Sequence, residues 1–168
     1  MVKMKFEQKA WAGARISLGI IFFWAFLDKL FGLGYTTAAD KSWLLGNSPT
    51  TGFLKFATAG PLSTIFQSLA GQVWVDWLFM LGLALIGFAL LSGMGMKLAG
   101  YGGALLVFMM YLAALPFFAP ESHNPLVDDH VVYMFILLAF TQMKVGHWYG
   151  WGKQWSQTRI VKENPILE

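Results

Sequence analysis

Four ionisable side chains stand close together at one point of an apolar chain: His123, Asp128, Asp129 and His130, in the stretch HNPLVDDH. Imidazole is the side chain whose ordinary titration falls near neutral pH, and carboxylates beside it can pass protons on. The stretch runs directly into the apolar residues 131–143, so it opens a helix. If that helix begins at Pro125, Asn124 is its N-cap and proline takes the first helical position, where a missing N–H is harmless. Asp128, Asp129 and His130 then fall in the first two turns, and a helix from 125 to about 146 has the roughly 20 residues needed to cross a bilayer. Polar groups at that depth are costly and mark functional sites. The plainer reading is an ordinary helix start, because carboxylates favour the positive end of the helix dipole by a few tenths to about 1 kcal/mol each. One aspartate would serve that purpose; two and a histidine exceed it.

Two further polar groups accompany this stretch. Asp28 and Lys29 close the first apolar run, and Asp76 stands between Trp74 and Trp77 at the start of the second. Asp28 falls at the C-terminal end of its helix, the unfavourable end for a carboxylate, one turn from Trp24. It needs a compensating partner, and Lys29, Lys41 and Lys55 are the available cations. Arg15, five residues inside the first run, is expected to snorkel to the headgroups.

A carboxylate–histidine group beside aromatics at membrane depth has the chemistry to hold a quinone head, whose reduction needs hydrogen-bond partners for two oxygens and groups that pass protons. The catalytic candidates are Asp28, Asp128, Asp129 and His130; Trp24, Lys29, Asp76 and Asn124 are candidates for binding the quinone. Neither metal nor haem is expected. HExxH and Glu-x-x-His patterns are missing from the sequence, and His147 is expected on the opposite side of the membrane from His123 and His130.

Composition bounds the rest. Hydrophobic residues make up 57% of the 168 and charged residues 12%, with a mean hydropathy of +0.55, which is the composition of a membrane protein. The net charge of +3 is spread out, without the basic, aromatic-interleaved run that would bind nucleic acid. The sequence has no cysteine, so thiol redox chemistry and Cys-ligated clusters are excluded within this chain. Any redox role must use a bound cofactor, a quinone or a partner subunit.

The elements that must position these groups are read from apolar runs and their breaks. The sequence predicts an all-α, single-domain membrane protein over residues 1–168, with four spans at about 10–31, 74–91, 98–118 and 125–146. A basic start and apolar centre could also make a signal peptide, but the only small-residue cleavage candidate, near Ala38 and Ala39, lies too far along, so the first span is retained. The connection 32–73 is too long to be structureless. Leu62, Ile65, Phe66 and Leu69 recur at helical spacing, and Phe53, Leu54, Phe56 and Ala57 form a second patch, predicting two short amphipathic helices at the membrane surface.

The glycine-rich turn 92–97 makes the second and third spans a hairpin, and Gly95, Ala99 and Gly103 form a small-residue ladder for close helix packing. Lysines and aromatics over 144–155 read as an interfacial belt, and 159–168 as a solvated tail. Lysine and arginine bias puts both ends in the cytoplasm, with Lys41 and Lys55 in mild dissent. The polar groups then gather on the outer side.

At these residues the chain resembles the DoxX/DoxD family of small four-helix membrane proteins. The matching features are Arg15-Ile16-Ser17-Leu18-Gly19 followed by Phe22 and Lys29-Leu30, the Gly60-Pro61-Leu62 break, Asp76-Trp77, and Asn124-Pro125-Leu126-Val127-Asp128-Asp129-His130. They cover nearly the whole chain, and the Asn-Pro…Asp-Asp-His stretch is the most specific. Arg15, Lys29, Asn124, Asp128 and His130 match positions in the family's motifs. The family includes the membrane subunit of thiosulfate:quinone oxidoreductase, which works with a smaller partner subunit. The resemblance therefore implies a multi-pass protein of a prokaryotic cell membrane and a redox role at its outer face. A non-catalytic accessory subunit of a larger respiratory or transport complex is the alternative expectation. A carrier or channel ranks last, because the later spans are almost bare of polar residues at their centres.

Overall fold

The computed structural model describes residues 4–119 and 124–168, so His123 lies outside the described residues. The chain is all-helical, in the order α1 (Phe6–Phe31), α2 (Thr51–Phe56), α3 (Ser63–Ser68), α4 (Val73–Ser92), α5 (Met96–Ala113), α6 (Asp129–Gln142), α7 (Gly152–Trp155) and α8 (Arg159–Glu163), with short 3₁₀ turns between. Among the described residues, α1, α4 and α5 are long and apolar enough to cross a membrane, while α6 is a shorter apolar helix.

α1 ends where the chain needs a left-handed residue. Gly32 has φ 68°, and its N–H returns to Asp28 O. A Cβ there would lie 2.7 Å from Ala39 Cα, so only glycine fits. Glycine likewise ends α4, where Gly93 (φ 79°) turns the chain into α5 within three residues.

α1 packs antiparallel on α4, α4 on α5, and α5 on α6. One apolar core runs through them, from Leu18 and Phe22 through Leu83, Leu90 and Val107 to Leu137 and Phe140. The opposite faces are apolar too: Ile20, Leu78, Leu85, Phe88, Leu105 and Phe135 are exposed. A helix that is hydrophobic all round while one side has no protein cover faces lipid.

The small-residue ladder is covered from within the chain in part: Ala99 is buried and a Cβ at Gly103 would meet Leu137 at 3.1 Å and Ile86 at 3.2 Å, while one at Gly95 would meet nothing within 4 Å. Beside the ladder, a Cβ at Gly100 would lie 2.7 Å from Leu137 O. Removing those side chains lets α6 approach the α5 backbone.

Two expectations are corrected. α6 begins at Asp129 and ends at Gln142, so it does not start at Pro125, and its N-cap is Asp128 rather than Asn124. The side-chain oxygen of Asn124 instead accepts from Leu126 N (2.9 Å) and Val127 N (3.2 Å), which turns residues 124–127 away from helix. The segment 159–168 is not a solvated tail. Val161 is buried, Trp155 Nε1 donates to Leu167 O (2.6 Å), and Lys97 N donates to Glu168 O (2.9 Å).

The loop helices form as the sequence predicts. α2 and α3 close over the end of α5, burying Leu54 and Phe66 against Ala113. Ala59 N donates to Ala113 O at 2.9 Å, which fastens the loop there.

Candidate functional site

The polar groups do come to one end of the bundle, where α1 stops and α4 and α6 start, but each is held by its own partners. Asp28 is 1% exposed. It accepts from Tyr35 N (3.2 Å), Thr36 N (2.9 Å) and Thr36 Oγ1 (2.7 Å). Beside the charge of neighbouring Lys29, direct compensation comes from loop donors, because the left-handed turn at Gly32 folds residues 35–36 back over the carboxylate. Lys41 pairs with Asp40 (3.8 Å). Trp24 packs edge-to-face on Tyr35 at 5.2 Å.

Asp76 lies in the first turn of α4 and is also buried. Its Oδ1 accepts from Ser48 Oγ (2.7 Å) and Thr50 Oγ1 (2.6 Å). A buried carboxylate needs such donors, since burying one without them costs several kcal/mol. Asp28 and Asp76 therefore pin the first half of the long loop, at residues 35–36 and 48–50, to α1 and α4.

Asp128 has two roles. Its Oδ1 accepts from Val131 N (3.3 Å) as the cap of α6. Its Oδ2 lies 2.7 Å from His130 Nδ1. A carboxylate on Nδ1 holds the ring so that Nε2 is the free nitrogen. His130 lines a cavity of about 230 Å³ between α5 and α6, with Phe108, Tyr111, Leu126, Val131 and Met134. Tyr111 Oη closes its rim by donating to Leu126 O (2.8 Å). Asp129 is exposed.

Lys29 lines a different cavity, of about 340 Å³, walled by α2, α3, α4 and α5. Among the described residues, no hydrogen bond or ion pair links Asp28, Asp76 and the Asp128–His130 pair to one another. Among these residues no group of acidic, histidine or cysteine side chains has a metal-binding arrangement.

The residue that sequence reasoning misjudged is Arg15. It is 0% exposed and does not snorkel. Nη1 donates to Leu90 O and to Leu91 O (3.1 Å), and Nη2 to Trp148 O (3.0 Å) and Tyr149 O (2.9 Å). Leu90 and Leu91 belong to the last turn of α4, whose carbonyls have no helical partner, and a cation there is also favoured by the dipole. Tyr149 has φ 52°, a left-handed conformation rare for its type. Glycines make room: a Cβ at Gly150 would lie 3.2 Å from Arg15 Nη2. The only sequence signal was the glycine-rich run 146–152.

At that same end His147 Nε2 stands 3.9 Å from Glu168 Oε1. Burial holds its pKa below the ordinary value, helped by Lys144 and Lys153 and opposed by Glu168.

No family model, no curated protein and no solved structure matches the chain.

Proposed function

We propose that the chain is the membrane-embedded subunit of a quinone-linked oxidoreductase, with the quinone head bound at His130. The Asp128–His130 pair carries this reading. His130 Nε2 is free to hydrogen-bond a quinone oxygen, Asp128 stabilises the imidazolium formed when a proton is taken up, and the cavity wall is aromatic and apolar.

In this reading α6, about 21 Å long at 1.5 Å per residue, joins the flanking segments 125–128 and 143–146 to complete a fourth span. Lys5, Lys9, Arg15, Lys97, Lys144, Lys153, Arg159 and Lys162 outnumber Lys29, Lys41 and Lys55 at the other end, which supports a cytoplasmic location for the first end in a prokaryotic cell membrane. Quinone reduction takes two electrons and two protons. The protons pass through His130 and Asp128, with exposed Asp129 as the entry group. The electrons come from a partner subunit that oxidises a sulfur donor, thiosulfate being the one implied by the DoxX/DoxD resemblance.

A second reading, a non-catalytic accessory subunit, is favoured by Asp28 and Asp76, whose hydrogen bonds are all to the loop. Thiosulfate-dependent quinone reduction by membranes carrying the chain separates the two. Under the first, His130→Ala and Asp128→Asn lose most turnover while the chain stays folded by circular dichroism. Unchanged turnover in both variants would leave only the accessory role.

A further inference from the structure

We infer that the cavity around Lys29 is a binding site for a single-chain lipid carboxylate, such as a long-chain fatty acid. This site is separate from the His130 cavity and does not depend on the quinone reading.

Chemical asymmetry of the walls carries the inference. The cavity of about 340 Å³ is lined by apolar side chains of α2 to α5, among them Phe53, Leu78, Leu106 and Met109, with Lys29 its sole charged group. Lys29 makes no hydrogen bond and no ion pair among the described residues. The nearest acid, Asp28, acts on Lys29 through its charge, but both its oxygens are hydrogen-bonded to Tyr35 and Thr36 and make no direct bond to the ammonium. Of the two neutral polar side chains of the wall, Thr50 donates its hydroxyl to Asp76 and Trp74 carries a single indole N–H. One cation without a hydrogen bond in the wall of an otherwise apolar slot matches an amphiphile with one anionic head.

The head is a carboxylate rather than a phosphate, because phosphate recognition relies on several convergent donors or an arginine fork and this wall offers one ammonium. The tail is a single chain, because the volume lies at the low end of the range of about 300–1,000 Å³ that holds a small ligand. Geometry agrees with the bilayer. Lys29 lies in the last turn of α1, at headgroup depth, and Phe79 is about 9 Å down α4 from Val73 at 1.5 Å per residue, so the slot points into the hydrocarbon.

The test is binding of tritiated palmitate to the purified full chain in a neutral detergent, with unlabelled competitors. Palmitate competes well, hexadecanol (the same chain without charge) about tenfold or more weakly, and butyrate not at all, as expected when a charge-assisted hydrogen bond is lost. Lys29→Gln weakens palmitate by a similar factor and leaves hexadecanol unchanged. Leu78→Trp, at a position exposed on the lipid side and so tolerant of bulk, weakens both by filling the slot. Equal affinity for palmitate and hexadecanol, or unchanged palmitate binding by Lys29→Gln, would overturn the site. Stronger competition by lysophosphatidate than by palmitate would overturn the carboxylate, and displacement by a short-chain quinone would overturn its independence from the quinone site.

Discussion

Replacing Arg15 tests whether one buried guanidinium holds together the end of the bundle where α4 stops. Its Nη1 and Nη2 carry four N–H groups and meet four carbonyls, two on α4 and two on the 148–149 segment. Charge-assisted hydrogen bonds contribute about 1.5–3 kcal/mol each, which alone would exceed about 6 kcal/mol. Against that stands the desolvation of a cation with no carboxylate partner, several kcal/mol, and a buried Nε that has no hydrogen-bond partner.

The net expectation is a loss of about 3 kcal/mol for Arg15→Leu, because the carbonyls stay buried after the charge is gone. At about 2–4 °C per kcal/mol for a chain of this size, the unfolding temperature in detergent falls by roughly 6–12 °C. Arg15→Lys recovers only part, since an ammonium has three donors and no planar fork for two pairs of carbonyls. Trypsin cleavage at Lys153 and Arg159 supplies a local readout and should quicken in both variants. If both melt within a degree of the parent and are cut at the same rate, Arg15 is not a structural tie.

Asp28 and Asp76 should respond differently to the same change. Asp28 uses both oxygens, so Asp28→Asn sets an amide donor against a loop donor and costs about 1–3 kcal/mol, seen as faster hydrogen exchange at Tyr35 and Thr36. Asp76 accepts both hydroxyls on Oδ1 alone, so Asp76→Asn keeps an acceptor and costs under about 1 kcal/mol in thermal unfolding. Gly100→Ala pushes a methyl toward Leu137 O and lowers the unfolding temperature, whereas Gly102, with nothing within 4 Å, tolerates alanine and gains up to about 1 kcal/mol of helix propensity. The depressed pKa of His147 means its contribution is complete above about pH 6.5 and is lost as pH falls through the lower folded value. Acidification from about pH 7.5 to about 5 should therefore lower the unfolding temperature more in the parent than in His147→Gln.

What could be read locally was read well. The predicted second span, 74–91, is α4 at Val73–Ser92, and the amphipathic pattern through Phe66 is α3, because apolar periodicity and glycine breaks act within a few residues. Asp28 reads in the sequence as a carboxylate in need of compensation, and the charge of Lys29 does act with it, but the direct hydrogen bonds come from the loop. Neutral backbone donors carry no signature in sequence, since every residue but proline has one. The start of α6 was missed for a related reason: Asn124 and Asp128 both have cap chemistry, and the turn that Asn124 makes with Leu126 and Val127 decided between them.

The sequence by itself determined an all-helical chain with lipid-length apolar helices, a glycine hairpin and an acidic, histidine-bearing end. These follow from composition and short-range spacing. Only the tertiary structure decided which charges are structural and which face a cavity. Arg15 meets carbonyls 75 and 133 residues away, and Lys29 and His130 line separate cavities. Such pairings depend on which helix faces pack together, and no local pattern encodes a partner that far along the chain.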